Sequence, residues 1–199
     1  MSFTTITKTF LPPSLNRKEI LRYASVNSPT SEYDDLIDDC LKEASPHLKY
    51  TVCYRELRIA HDGEYLDLGF AKVLSRDLKK NLDGCDKAIL FGATIGISLD
   101  RLIAKYSMSA PSKALIFDAL GSERIESLCD AFCAYLSDEG FLQRPRFSAG
   151  YGDLSISLQK DICDTLNTQK HIGLCLNESM LMSPSKSVTA IIGIKKSTF

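Results

Sequence analysis

Hydrophobic positions along this chain change period several times, and each change marks an expected element. Residues 4–10 alternate in the manner of a strand, which Pro12-Pro13 stops. Asn16 followed by Glu19 has the form of a capping box, with Asn16 capping a helix and Glu19 reaching back to it. Tyr33, Leu36, Ile37, Cys40, Leu41 and Ala44 recur at helical spacing and predict an amphipathic helix over Ser31–Ala44. The period then shortens. Tyr50, Val52, Tyr54, Leu57 and Ile59 lie in a β-rich run, and His61-Asp62-Gly63-Glu64 is a turn signal before residues 65–68, so a hairpin is expected.

Residues 75–82 predict a short helix closed by Gly84, and residues 87–91 a buried strand. Gly92-Ala93-Thr94-Ile95-Gly96 then leads into a helix carrying Leu99, Leu102, Ile103 and Tyr106. A strand, a glycine turn and a helix start can cradle phosphate. The lysine and Ser/Thr of a P-loop and the third glycine of a dinucleotide fingerprint are absent, which favours a plain strand-to-helix turn. Residues 111–139 predict a long helix bent near Gly121, with one apolar stripe at Leu115, Ile116, Ala119 and Leu120 and another at Ile125, Leu128, Cys129, Phe132 and Leu136. Residues 140–152 read as loop, 155–167 as helix, and 173–177 and 188–194 as strands. Helices and strands mix without strict βαβ alternation, which indicates an α+β fold.

Composition narrows the function classes. The 199 residues are 44% hydrophobic and 25% charged, with a formal net charge of −1, which suits one globular domain. No basic stripe is present, so nucleic acid is not expected as a partner. The longest apolar runs are too short to span a bilayer, and the first residues lack the pattern of a signal peptide; a cytoplasmic location and no membrane partner are expected. The seven cysteines are odd in number and lack Cys-x-x-Cys, so they read as free core residues. Cys129 and Cys133 could share a helix face, but His47, His61 and His171 fall in no ligand spacing and no metal site is expected.

Two blocks carry candidate chemistry. The first, Arg146-Phe147-Ser148-Ala149-Gly150-Tyr151-Gly152-Asp153, is a glycine-rich turn between a guanidinium and a phenol. An arginine offers a planar fork of donors to a carboxylate, and glycines let a ligand approach the main chain closely. The second contains Glu178, Ser179, Met182, Pro184, Ser187 and Val188. On the long helix Glu126 and Asp130 stand four residues apart, on one face. A surface arginine and two solvated acids are the plainer alternative for these side chains.

Both blocks resemble the reactivation domain of cobalamin-dependent methionine synthase, where an Arg-x-x-x-Gly-Tyr loop precedes a Glu-Ser-x-x-Met-x-Pro-x-x-Ser-Val segment. The resemblance covers most of the chain and implies that residues 1–199 form one activation-like domain. It implies a twisted, largely antiparallel sheet flanked by helices in a C-shaped body. It further implies that Arg146, Ala149, Gly150 and Tyr151 hold S-adenosylmethionine, with Arg146 on its carboxylate. Asp130, in the context Asp130-Ala131-Phe132-Cys133-Ala134-Tyr135-Leu136, stands where the family has a glutamate on the cofactor, with Glu126 as its neighbour. Glu178 is expected in the binding region, or as a buried acceptor that shapes the loop. The family's proline after the tyrosine is replaced by Gly152-Asp153, which predicts a looser loop. The chain stops soon after the second block, so the full enzyme's C-terminal extension and part of the adenine side are expected to be missing.

The function implied is presentation of S-adenosylmethionine to the cobalamin of a separate methionine synthase subunit, with flavodoxin or ferredoxin supplying an electron. No corrinoid-binding Asp-x-His-x-x-Gly motif is present, so the cobalamin must come on the partner. No Ser-His-Asp or Cys-His arrangement is evident, and methyl transfer from a sulfonium needs neither nucleophile nor base from the protein. The alternatives are a non-catalytic ligand-binding or docking subunit for a corrinoid protein, and a stand-alone methyltransferase.

Overall fold

The computed structural model describes residues 4–26, 28 and 30–196. Along the chain run β1 (Ile6–Thr9), α1 (Arg17–Tyr23), α2 (Ser31–Ala44), β2 (Thr51–Arg58), β3 (Ala60–Asp62), β4 (Tyr65–Asp67), β5 (Lys72–Val73), α3 (Arg76–Asn81) and β6 (Lys87–Thr94). The second half holds α4 (Ser98–Tyr106), α5 (Pro111–Asp138), β7 (Phe141–Gln143), α6 (Leu158–Leu166), α7 (Thr168–Ile172), β8 (Cys175–Leu176), β9 (Met182–Ser183) and β10 (Ser187–Lys196).

The main sheet has five strands in the order β1-β2-β6-β10-β7, every neighbouring pair antiparallel. Central β6 is buried from Ala88 to Thr94 and reads as a continuous apolar run, as a strand covered on both faces should. Alternation along the strands divides the interior. Val52, Tyr54, Ile89, Phe91, Ala190 and Ile192 pack with the apolar sides of α1, α2 and α5. Cys53, Leu57, Ala88, Leu90 and Ile191 face the other way, toward Leu78 of α3 and Ile162 and Leu166 of α6. The result is an α+β protein with a helix layer on each face of an antiparallel sheet.

Several expectations need correction. Asn16 does cap α1, its Oδ1 accepting from Glu19 N at 3.3 Å, but the reciprocal arm is absent. Glu19 pairs with Arg22 instead, and Asn16 N donates to Glu123 Oε1 at 3.0 Å. Glu123 and its neighbour Arg124 form a buried ion pair at 2.5 Å in the middle of α5. Arg124 also donates to the carbonyls of Pro13 and Ser14 at 2.7 and 2.8 Å, tying the turn before α1 to the long helix. The turn at Gly63 joins two three-residue strands of a separate small sheet, β3-β4-β5, because β2 is occupied by β1 and β6.

Gly92 is no turn residue. β6 runs through it, and Thr168 of α7 packs so close that a Cβ at Gly92 would lie 3.2 Å from Thr168 Cγ2. At Gly121 the missing side chain likewise makes room for a neighbour: a Cβ there would sit 2.3 Å from Leu99 Cδ2 of α4. Leu115, placed in the first apolar stripe, is half exposed, whereas Ile116, Ala119 and Leu120 are buried. The stretch 140–152 is not all loop: β7 adds an edge to the sheet, and Phe147 bridges Ile191 beyond it. Helix α7 and strand β9 are additions to the predicted elements. All seven cysteines are free, five of them buried. Among the described residues no helix is long and apolar enough to cross a membrane, and no cluster suited to a metal ion occurs.

Candidate ligand-binding site

Arg146 reaches its place because the chain on both sides of it is sewn to β10. Arg144 N donates to Gly193 O at 2.8 Å, and Phe147 exchanges two backbone hydrogen bonds of 2.9 Å with Ile191. Phe147 turns into the core beneath the sheet, and Arg146, one residue earlier, points the opposite way, toward α5. There its Nη2 donates to Glu126 Oε2 at 3.1 Å and to Asp130 Oδ1 at 3.0 Å. The sequence-predicted Arg146, Glu126 and Asp130 therefore meet in one cluster, although 16 residues separate Asp130 from Arg146.

Exposure within this cluster is uneven. The Arg146 side chain is 26% exposed, Glu126 46% and Asp130 74%. Burial works against the guanidinium's charge, but its surroundings, Cys129, Glu126 and Asp130, hold its pKa above the ordinary arginine value. Burial also pushes the Cys129 thiol up to about 12, so at neutral pH the charges facing Arg146 are those of the carboxylates. An ion pair with acids this exposed contributes about 0–1 kcal/mol and is readily exchanged.

Two clefts flank the cluster. One, of about 540 Å³ and open to solvent, is lined by Cys133, Gln143, Arg144, Pro145 and Arg146. The other, of about 270 Å³, includes Glu126, Asp130, Ser127, Glu123, Glu19 and Tyr23. The site thus offers a cation within hydrogen-bonding distance of two anions, with clefts on either side. That arrangement suits a zwitterion, whose carboxylate can take the guanidinium while its ammonium takes an acid. Cys133 is the residue that sequence reasoning left out of this face; it lies three residues beyond Asp130, and that helical spacing was the available signal.

The structure does not bring the other predicted residues into this cluster. Ala149 is buried, and Gly150 has φ +85 in the turn behind it. Tyr151 is largely exposed and stands edge-on against Phe147, with centroids 5.4 Å apart. Its ring contact is therefore with the residue that points away from α5. The turn is also firmer than the Gly152-Asp153 sequence predicts, because the Asp153 carboxylate is bonded to the start of α3. Glu178 lies apart, on the rim of a third cleft of about 600 Å³ between α6, α7 and β8. It is exposed and no buried acceptor; Asn177 shapes that loop, its Oδ1 accepting from Ser179 N and Leu181 N at 2.9 Å.

An antiparallel sheet between two helix layers has a counterpart among solved proteins. The chain is similar to the MetH reactivation domain, whose crystal structure was determined bound to AdoHcy, with a TM-score of 0.66 over 98% of this chain and 79% of that one. Sequence identity is 13%, and the fold is what the two share. No family model matches the sequence, and no curated protein matches it.

Proposed function

We propose that residues 1–199 form a methionine synthase activation-like domain that binds S-adenosylmethionine and presents its methyl group for reductive reactivation of the cobalamin of a separate methionine synthase. The observation that carries this reading is the meeting of Arg146 with Glu126 and Asp130. Its support is the likeness in fold to a domain solved with AdoHcy.

The donor set fits the amino-acid end of such a ligand. Arg146 would take the carboxylate, releasing Glu126 and Asp130 to face the α-ammonium and the sulfonium. Because those two acids already stand in water for much of their surface, releasing them costs little. Ala149 and Gly150 would offer the backbone approach, and Tyr151 an aromatic face on the exposed side of the turn. When bound, S-adenosylmethionine supplies a methyl group already activated by its sulfonium. The chain's residues then need only to hold and orient it, and orientation of that kind is worth about 7–11 kcal/mol of barrier. Cobalamin on the partner and an electron from flavodoxin or ferredoxin complete the reading, with the pair acting in the cytoplasm. Glu178 would then lie outside the contacts to the amino-acid end.

A calorimetric titration with S-adenosylmethionine and with S-adenosylhomocysteine tests the ligand, and methyl transfer to a cobalamin-loaded methionine synthase subunit tests the role. Saturable binding with methyl transfer supports reactivation. Binding without transfer would instead support a non-catalytic ligand-binding or docking subunit, which the aspartate at position 130 favours. Failure to bind either ligand, alone or with the partner subunit present, would overturn both.

A further inference from the structure

The turn that carries Gly150 and Tyr151 is held from two sides. On the inner side Leu154 is buried; its N–H donates to the Tyr151 carbonyl at 3.1 Å, and its carbonyl accepts from Gly150 N at 2.9 Å. One residue earlier the chain reaches outward. Asp153 Oδ1 accepts from Ser75 Oγ at 2.5 Å and from Asp77 N at 3.3 Å, and Oδ2 accepts from Arg76 N at 2.8 Å. Helix α3 already has its own cap, because Ser75 Oγ accepts from Leu78 N at 3.0 Å. The Asp153 carboxylate takes the donors left over and so couples the turn to an element 76 to 78 residues away in sequence.

Gly152 makes that approach possible. Its φ is +56, and a Cβ there would lie 2.3 Å from Asp77 Oδ2. Gly150, at φ +85, is also crowded, with 2.9 Å from an added Cβ to Ile156 Cδ1. Both glycines sit in the left-handed region, and a side chain at either would meet a neighbour, so the turn as built calls for glycine at both. The only side chain holding its outer face to the body is that of Asp153 among the hydrogen bonds of the described residues. The bonds from Ser75 and from the Arg76 and Asp77 amides also keep its carboxyl below the usual range, so it is charged at neutral pH.

Resting on the ligand reading above, we propose that Asp153 is a positioning residue, which clamps the Gly150-Tyr151 turn to the start of α3 so that the turn is set before ligand arrives. It touches no ligand itself. Pre-set loops bind more tightly because less ordering remains to be done on binding. The clamp has one consequence that a general stabilising contact would lack: its effect on affinity must be coupled to that of Tyr151, a side chain the same turn carries.

The test is a double-mutant cycle on S-adenosylhomocysteine affinity, with Asp153→Ala, Tyr151→Ala and the pair, each also unfolded in urea. The expected result is about a tenfold weaker affinity in Asp153→Ala, in line with the roughly 1.4 kcal/mol that a tenfold change represents. The double variant should bind more tightly than the two single losses multiplied together predict. Asp153→Asn keeps one acceptor oxygen for Ser75, should fall between wild type and alanine, and guards against a folding defect in the alanine variant. Wild-type affinity in both Asp153 variants, or losses that multiply in the double variant, would overturn the positioning role alone. A wild-type protein that binds no S-adenosylhomocysteine would overturn it together with the ligand assignment.

Discussion

Arg146 donates to Asp130 across 3.0 Å, joining the segment that leaves the edge strand β7 to the middle of the longest helix. The contact looks like an ordinary surface ion pair, but its two ends differ: the guanidinium is mostly covered and the carboxylate mostly in water. That asymmetry separates ligand binding from stability. Arg146→Ala removes a charge-assisted hydrogen bond to the ligand, worth about 1.5–3 kcal/mol, and so should weaken S-adenosylhomocysteine roughly ten- to a hundredfold. The same change should cost about 0–1 kcal/mol of folding free energy, since its partners are exposed acids. 5′-Methylthioadenosine, which lacks both charges of the amino-acid end, serves as the control. Calorimetry should find it bound equally by wild type and Arg146→Ala.

Gly121 tests whether packing or helix propensity decides a position inside α5. Propensity alone favours alanine over glycine in a helix by about 1 kcal/mol. Here an added Cβ would stand 2.3 Å from buried Leu99 Cδ2 and 2.8 Å from Lys186 Cγ. Neither neighbour is free to retreat: Leu99 is fully buried, and Lys186 is held by Asp118 at 2.8 Å and Ser122 at 3.0 Å. Gly121→Ala should therefore destabilise the protein, by about 1–3 kcal/mol, the range for overpacking. Urea denaturation gives the answer, and a gain in stability would show that α4 can shift.

Glu123 and Arg124 show how a buried charged pair can organise a terminus. Both are almost fully buried, and between them they bond Asn16 N, the carbonyls of Pro13 and Ser14, and Ser127 Oγ. Replacing Glu123 by alanine strands the guanidinium and two donors, which should cost about 3–5 kcal/mol. The fold would loosen first where α1 meets α5. Hydrogen exchange should find the earliest loss of protection in the α1 amides, ahead of the sheet.

Much of this architecture was legible in the residues, and the misses have a common cause. Ser31–Ala44 was readable to the residue because its apolar stripe fills one face of one helix. Residues 87–91 were readable as a buried strand, but the strand runs on through Gly92, where nearby Thr168 explains the glycine. Gly121 was expected to mark a bend, and nothing in the sequence signals that Leu99 of another helix packs against it. A glycine placed for a distant neighbour leaves no local periodicity. β7 escaped because three residues on a sheet edge carry no pattern of their own and are held by β10. At the site, Glu126 and Asp130 were legible as one helix face and Arg146 through the motif. Their meeting was not, because it depends on the register between residues 141–147 and β10. Asp153 was read as a loosening of the turn, and only the position of α3 shows that it is a fastening.

The acid sensitivity of the helix layer should centre on Glu43. Its carboxylate receives Lys113 Nζ at 2.8 Å, Lys105 Nζ at 3.1 Å and the Tyr106 hydroxyl at 2.9 Å, linking α2 to α4 and α5. Lys113 above all, then Lys105 and Tyr106, hold the Glu43 carboxyl down to about 2. The unfolded chain binds this proton near pH 4.5, so the folded state is favoured at any pH above that value and the advantage fades as pH falls toward 2. Glu43→Gln should then be less stable than wild type at pH 6, by about 1 kcal/mol, the upper end for ion pairs that water still reaches. The gap should narrow through pH 4 and close near pH 2 to 3. Urea midpoints measured for both proteins across that range test it; a gap that persists unchanged at pH 3 would mean that packing of the side chain, and not its charge, holds the three helices together.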